Sequence, residues 1–205
     1  MPAIVLTAML VVANVMGAGM IVPQVVRLHR LKTSDGVSAA WIGVGLAMNL
    51  WWVAYGWATG LWGILPVSAG AFGLYGIIAA QYARLNGRAA LVRCGAGVAT
   101  VGLAPLPALA VGGWPAAGVA AGLCYAIQFA PAAIATVRSD RLHGVSPTTW
   151  AMAGTEAAVW VVYGLIQGDP ALMIGGGGGL FASVVILFRL SQHGLARRAE
   201  VMLAQ

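Results

Sequence analysis

The sequence predicts an all-α integral membrane protein whose seven transmembrane helices form two parallel three-helix repeats joined by an inversion helix, a 3+1+3 arrangement. Composition is the first reason, because 60% of the 205 residues are hydrophobic and only 8% are charged, whereas soluble domains carry about 25% charged residues. The second reason is a series of apolar stretches of about 20 residues, the length at which a helix crosses the hydrocarbon layer. The third is an internal repeat.

The repeat relates two segments of the chain at a constant offset of 108 residues. Each segment contains a proline, then a Gly-Val-Ser turn, then a Trp-x-x-Tyr-Gly motif. In the first segment these are Pro23, Gly36–Ser38 and Trp52–Gly56. In the second they are Pro131, Gly144–Ser146 and Trp160–Gly164. A repeat of this length sets the architecture of the chain, so it takes precedence over local patterns.

Seven spans are predicted, at residues 3–26, 39–58, 62–83, 93–112, 115–137, 147–167 and 170–190. The first is expected to be a retained span and not a signal peptide, because it has no basic start and carries the repeated Pro23. Three spans reverse the direction of the chain, so two parallel repeats need one inverting span, the segment 93–112. The predicted domains are a first repeat at residues 1–88, a linker helix at 89–113 and a second repeat at 114–205.

The basic residues predict the orientation in the membrane. All 11 Lys and Arg fall in, or within two residues of, the segments that follow the first, third, fifth and seventh spans, and cytoplasmic loops carry the Lys and Arg excess. The N-terminus is therefore expected outside and the C-terminus in the cytoplasm. Topology accounts for the net charge of +6, so no nucleic-acid partner is expected, and the Ala- and Gly-rich composition favours a bacterial inner membrane.

The chain resembles the SWEET-type sugar transporters of the PQ-loop (MtN3/saliva) superfamily over nearly its whole length. The resemblance rests on Pro23-Gln24 followed by Gly36–Ser38, on the two Trp-x-x-Tyr-Gly motifs, and on the passage Tyr163–Pro170. It implies a carrier, not an enzyme, that moves a mono- or disaccharide by alternating access and facilitated diffusion, without a cofactor or metal. The implied partners are the sugar and the lipid bilayer, with assembly into a homo-oligomer left open.

The resemblance also implies roles for single residues. The hinge prolines of the family correspond to Pro23, Pro131 and Pro147, whereas the hinge position of the second span is Ala39. The Pro-Gln motif is present in the first repeat as Pro23-Gln24, but in the second repeat Ala132 replaces the glutamine. The family's pocket tryptophans correspond to Trp52 and Trp160. Its pocket asparagines are replaced here, by Ser68 and Gly176.

Glu156 is the only ionisable residue deep in any predicted span, and such residues usually face a cavity or the bundle interior. It precedes Trp160 by one helical turn, so both lie on one helix face, and Met48 is its counterpart in the first repeat. Glu156 is expected to hydrogen-bond a polyol, hold a cation or take up a proton, unless it serves packing alone. Asn49, on the same face as Trp52, either supplies a pocket amide or bonds a neighbouring helix.

Other polar positions have two interpretations each. Gln24 and Gln128 are either pocket residues or links between helices. Asp169 either caps a helix start, where a negative charge complements the helix dipole, or acts as an extracellular gate. The five glycines Gly175–Gly179 lack a following Lys-Ser/Thr and are expected to provide close packing, pocket room or a hinge, not phosphate binding.

Two alternatives to sugar transport follow from these residues. The first is a PQ-loop carrier for a cationic amino acid or another small metabolite, proton-coupled through Glu156, because both pocket asparagines are replaced. The second is a non-transporting membrane interaction protein of the same fold.

Overall fold

The computed structural model describes residues 3–34, 37–138, 142 and 145–203, the last of these from residue 193 onward by backbone alone. Within these ranges the chain is almost entirely helical and contains no β-strand, so the all-α class is confirmed. Part of both Gly-Val-Ser turns, Gly36 and Gly144, lies outside the described residues, as do Asp35, Arg141 and His143.

The helices follow one another with short connections. They are α1 (Ala3–Gly19), α2 (Val22–Leu31), α3 (Ala39–Thr59), α4 (Leu65–Asn86), α5 (Leu91–Gly97), α6 (Pro105–Ile127), α7 (Ala130–Arg138), α8 (Pro147–Gln167) and α9 (Pro170–Leu203). Two 3₁₀ turns, Trp62–Ile64 and Arg88–Ala90, and a π-helical turn, Val98–Gly102, extend α4 and α5.

Four helical stretches of the described chain have the length and apolar composition needed to cross a bilayer. They are Ala3–Leu31, Trp62–Asn86, Pro105–Arg138 and Pro170–Gln192. Large apolar side chains such as Val92, Val111 and Phe181 lie exposed on the protein surface. Water disfavours that much exposed hydrocarbon, and a lipid environment tolerates it, so the helices fit a membrane protein.

The helix breaks differ from the predicted span ends. The chain breaks at residues 20–21 and then continues as α2 to Leu31, so the predicted loop at 27–38 starts about one turn too early. Pro23 is the second residue of α2, where its missing N–H costs no hydrogen bond. The same break recurs at residues 128–129, before Pro131 in α7. At the other end of the chain, the predicted span 170–190 continues helical to Leu203.

Helix α6 has a break at the predicted connection, residues 113–114. Two helical stretches meet there at Gly113, which has φ 65° and ψ −159°, a conformation that only glycine adopts without strain. Pro115 lies two residues later and lacks an N–H to restore the helical ladder. The chain therefore changes direction sharply here without forming a loop.

The offset of 108 residues reappears in the helix bounds. Helix α8 begins and ends 108 residues after α3. Ser38 and Ser146 cap the two helices, each accepting a hydrogen bond at 3.3 Å from the backbone N–H three residues on. Both helices end at a left-handed glycine, Gly60 at φ 75° and Gly168 at φ 65°. Equivalent sequences thus form equivalent starts and stops.

The packing brings the two repeated segments together around α1. Helix α1 contacts α4 on one side and α8 on the other, while α9 packs against α6, α7 and α8. One buried cluster joins both Trp-x-x-Tyr motifs, through Trp52 and Tyr55 from α3 and Trp160 and Tyr163 from α8. A second cluster lies within the first segment, around Ile42, Ile78 and Leu28.

Helix α5 and the π turn that follows it pack closely on α3. A Cβ atom on Gly43 would overlap the carbonyl oxygen of Cys94, and one on Gly97 would overlap the carbonyl oxygen of Ala40. The indole N–H of Trp51 donates to the carbonyl oxygen of Gly102 at 2.6 Å. These contacts attach the segment between the two repeats to the first repeat.

Candidate functional site

A small chamber of about 60 Å³ lies where the two repeated segments meet. Six of its lining residues are ones that the sequence singled out, three from each segment: Asn49, Trp52 and Ser68, and Glu156, Trp160 and Gly176. Helices α3 and α8 supply the aromatic and polar side chains, whereas α4 and α9 supply the small residues opposite them. The remaining lining residues include Tyr125 from α6.

A larger cavity of about 900 Å³ adjoins the chamber and shares Asn49, Tyr125, Glu156 and Trp160 with it. It extends along the starts of α3 and α8, lined there by residues such as Trp41 and Trp150. Those helix starts follow the connections that carry the basic residues. The chamber is therefore the inner end of a wide cavity that faces the basic side of the protein.

The opposite side of the chamber is closed by a buried hydrogen bond between the two segments. The Tyr55 hydroxyl donates to Asp169 Oδ2 at 2.6 Å, while Asp169 Oδ1 accepts from the backbone N–H of Leu172 at 2.9 Å. Asp169 thus caps α9 and links it to α3 at the same time. The buried side chains of Leu61 and Tyr163 belong to the cluster that includes Tyr55.

Glu156 lies on the walls of both the chamber and the larger cavity, with 7% of its surface exposed. Its Oε1 accepts a hydrogen bond from the indole N–H of Trp160 at 3.1 Å, as the one-turn spacing predicts. On the other side it contacts α1 at Gly17, where a Cβ atom would overlap Oε1. Lys, Arg and His are absent from the described lining of both cavities, so Glu156 carries the formal charge of the site.

Aromatic rings form a continuous wall from the chamber toward the basic side. Trp52 makes an edge contact with Tyr125 at 6.1 Å between ring centroids, Tyr125 with Phe129 at 5.2 Å, and Phe129 with Trp150 at 6.4 Å. Edge-to-face pairs of this kind are favourable and orient the rings relative to one another. The cavity therefore offers ring faces and edges along its length.

The other predicted pocket residues lie at different depths. Ser68 is buried and lines the chamber, whereas Met48 lines only the larger cavity. The amide of Asn49 donates to the carbonyl oxygen of Gly45 in its own helix at 2.8 Å. Gly176 lies on the walls of both spaces and in close contact with α8. The glycine-rich stretch of α9 remains helical, and its role as a hinge stays a prediction.

The predicted hinge and gating residues are spread along the helices and do not meet in the chamber. Gln24 and Pro131 line the larger cavity, as does Gln128, whereas Pro23 and Pro147 line neither space. The Nε2 atom of Gln24 is buried without a hydrogen-bond partner among the described residues. Their roles as hinges stay a prediction.

Tyr125 is a site residue that the sequence reasoning missed. It lines both spaces and contacts Trp52. Its counterpart in the first segment is Gly17, the residue against which Glu156 packs, but the offset alone does not mark Tyr125 as a lining residue. The site therefore differs between the segments at several paired positions, among them Gly17 with Tyr125, Met48 with Glu156 and Ser68 with Gly176.

The described His, Cys, Asp and Glu side chains form no group of three that could hold a metal ion. No protein-family model matches the chain, and no curated protein is found to be similar to it. The proposed function therefore rests on the geometry of the cavity and on the sequence motifs.

Proposed function

We propose that the protein is a seven-helix membrane carrier of the 3+1+3 arrangement that moves a small polar solute by alternating access. The observation that carries this proposal is the chamber, which is lined by corresponding residues of both repeats, closed on one side and continuous with a wide cavity on the other. Substrate sites of parallel-repeat carriers lie at the repeat interface near the membrane midplane.

The proposed spans combine the four long apolar stretches with three further helical segments. Helices α3 and α8 have 21 residues each, which at 1.5 Å per residue gives about 30 Å, enough to cross the hydrocarbon layer. Residues 88–112 form the inverting span, so the long stretch Pro105–Arg138 is divided at Gly113, and its part after Gly113 belongs to the second repeat. The basic connections face the cytoplasm, so the larger cavity opens inward and the N-terminus lies outside.

Transport would proceed by rocking of one repeat against the other around the chamber. The solute binds between Trp52 and Trp160 from the cytoplasmic cavity, while the Tyr55–Asp169 hydrogen bond keeps the outer side closed. Breaking that bond and closing the inner ends of α2 and α7 exposes the chamber to the outside. The helix breaks before Pro23 and Pro131 are the places at which these ends can bend.

A mono- or disaccharide is the first substrate proposed. Indole rings bind the apolar face of a sugar ring, and Asn49, Ser68 and Glu156 provide hydrogen-bonding groups on the chamber wall. A carrier for a cationic solute is the second candidate, because Glu156 carries the charge of the cavity. It is proton-coupled if Glu156 also takes up a proton.

Uptake of labelled sugars into proteoliposomes tests the proposal. We expect saturable uptake by the wild type and by Trp57→Ala, because Trp57 is 69% exposed on the protein surface and lies outside both cavities. Uptake that changes with external pH would favour proton coupling. Absence of flux for sugars and for cationic solutes, with the protein still folded, would contradict a carrier and support the membrane interaction protein.

The two cysteines give a test of the inward-open cavity. Cys124 lines the larger cavity, whereas Cys94 is buried against α3. A membrane-impermeant maleimide should therefore label the wild type only from the cytoplasmic side, and Cys124→Ala should lose that labelling. Tyr55→Phe removes the hydrogen bond to Asp169 and should raise labelling of Cys124 from the outside. Equal labelling from both sides in the wild type would contradict the closed outer side.

A further inference from the structure

We propose that the transported solute is a small organic compound with a positively charged nitrogen, which Glu156 binds among the rings of Trp52, Tyr125 and Trp160. This inference rests on the proposed carrier function and names its substrate class. It places the second candidate of the proposed function, a cationic solute, ahead of a neutral sugar.

The charge balance of the cavity is the first argument. Among the described residues that line the chamber and the larger cavity, Glu156 is the only side chain with a formal charge. The described Lys and Arg side chains line neither space. A buried carboxylate without an opposite charge is costly, and a charged residue inside a membrane protein usually has a partner. Since the protein supplies no cation here, a proton or a positively charged solute is left to neutralise the carboxylate, and the next two arguments favour the solute.

The geometry of the carboxylate is the second argument. Trp160 donates to Oε1 at 3.1 Å, and no hydrogen bond to Oε2 is found among the described residues. Oε2 is also absent from the buried polar atoms that lack a partner, as expected if it faces the open space of the cavity. The indole thus holds the carboxylate in place while one oxygen stays available to a ligand.

The aromatic surroundings are the third argument. Trp52, Tyr125 and Trp160 line the same chamber as Glu156, with Trp52 and Tyr125 in edge contact at 6.1 Å. Organic ammonium groups bind to the faces of such rings by cation–π attraction, within about 6 Å of a ring centroid. A neutral sugar gains only the stacking contribution, whereas a cationic nitrogen gains from both the rings and the carboxylate.

The difference between the two repeats indicates how many positive charges the solute carries. The counterpart of Glu156 is the uncharged Met48, and the counterpart of Tyr125 is Gly17. The site therefore has one acidic side with rings around it, which matches a solute with a single positive charge. Two classes of solute carry one positively charged nitrogen and fit this site, quaternary ammonium compounds and amino sugars.

The test compares charged solutes with uncharged solutes of similar shape in proteoliposomes. The pairs are choline with 3,3-dimethyl-1-butanol, and glucosamine with glucose, the uncharged member serving as competitor or as labelled solute. For one pair or both, we expect the charged member to be taken up at least about tenfold better than the uncharged one. A tenfold ratio corresponds to the free energy of about one hydrogen bond to a charged group. The pair that shows the preference identifies the source of the charge.

Glu156→Gln is the decisive variant, because glutamine keeps the shape and can still accept from the Trp160 indole. We expect it to lose the preference for the charged member, while Glu156→Asp retains part of it. An uncharged member carried as fast as its charged partner in the wild type would overturn the inference and leave the carrier proposal standing. So would an unchanged preference in Glu156→Gln.

A binding measurement keeps the inference testable if no flux is seen. Choline or glucosamine should raise the melting temperature of the detergent-solubilised wild type and not that of Glu156→Gln. Lack of flux together with this shift would contradict a carrier but support a cation site. Lack of the shift with all four solutes would overturn the cation site itself.

Discussion

Replacing Trp160 with alanine is expected to reduce uptake of the transported solute by at least about tenfold, equivalent to 1.4 kcal/mol or more of lost binding. The substitution removes a ring from the chamber wall and also removes the N–H that holds Glu156 Oε1. The substitution removes the ring contact to the solute and the hydrogen bond that positions the carboxylate. The loss of uptake should therefore exceed that of any other single substitution in the chamber.

Protein quantity and folding must be controlled in this experiment, because truncating a buried tryptophan to alanine costs about 3–5 kcal/mol of stability. Uptake is therefore normalised to protein that elutes as a single peak in detergent. Trp160→Phe fills most of the space and removes the N–H, so it should show an intermediate loss. Trp62→Ala, at a side chain 59% exposed on the surface, is the matched control. Normal uptake by folded Trp160→Ala would contradict a role of this ring in binding.

Alanine at Gly97 is expected to lower the stability of the folded protein by about 1–3 kcal/mol, the usual cost of overpacking. The new methyl group would meet the backbone carbonyl of Ala40 and lie 2.7 Å from the backbone nitrogen of Val44. Backbone atoms cannot rotate away as a flexible side chain does, so α3 and α5 must separate. The melting temperature in detergent measures the loss.

Gly95 provides the control on the same helix, two residues away. Nothing lies within 4 Å of a Cβ atom built there, so Gly95→Ala should stay within about 1 kcal/mol of the wild type and gain slightly from helix propensity. If the two variants melted at the same temperature, the close packing of α3 on α5 would be contradicted.

The helices were predictable where the repeat and the capping residues agree. The spans expected at 39–58 and 147–167 match α3 and α8 to within one residue, because Ser caps and left-handed glycines fix both ends. The basic residues Arg27 and Arg30 were wrongly predicted to lie in a loop, because charge ends an apolar span, whereas Val25 and Leu28 continue the helix as an amphipathic one. The predicted connection at 113–114 coincides with the break at Gly113, where glycine and Pro115 interrupt the helical geometry.

Part of the candidate site was also predictable. Helical spacing placed Glu156 and Trp160 on one face, and the offset of 108 paired Trp52 with Trp160; all three line the chamber. Asp169 was expected to cap a helix or form a gate, but its pairing with Tyr55 was not foreseen, because the bond joins residues 114 apart in sequence that are not equivalent in the repeat. Contacts between unlike positions depend on how the segments dock, which sequence periodicity does not encode.

The unlike pairs Gly17 with Tyr125 and Met48 with Glu156 have a consequence for how a solute travels. A channel-like site built from two identical halves would present the same groups to both ends of its cargo, so the cargo could lie either way round. Here one half carries the acid and the other does not. The cargo should therefore adopt a single orientation, with the same end directed toward α8 whether it is moving into the cell or out of it. Joining both halves in one polypeptide is what permits this polarity, since two copies of one short chain would always carry the same residue at both positions.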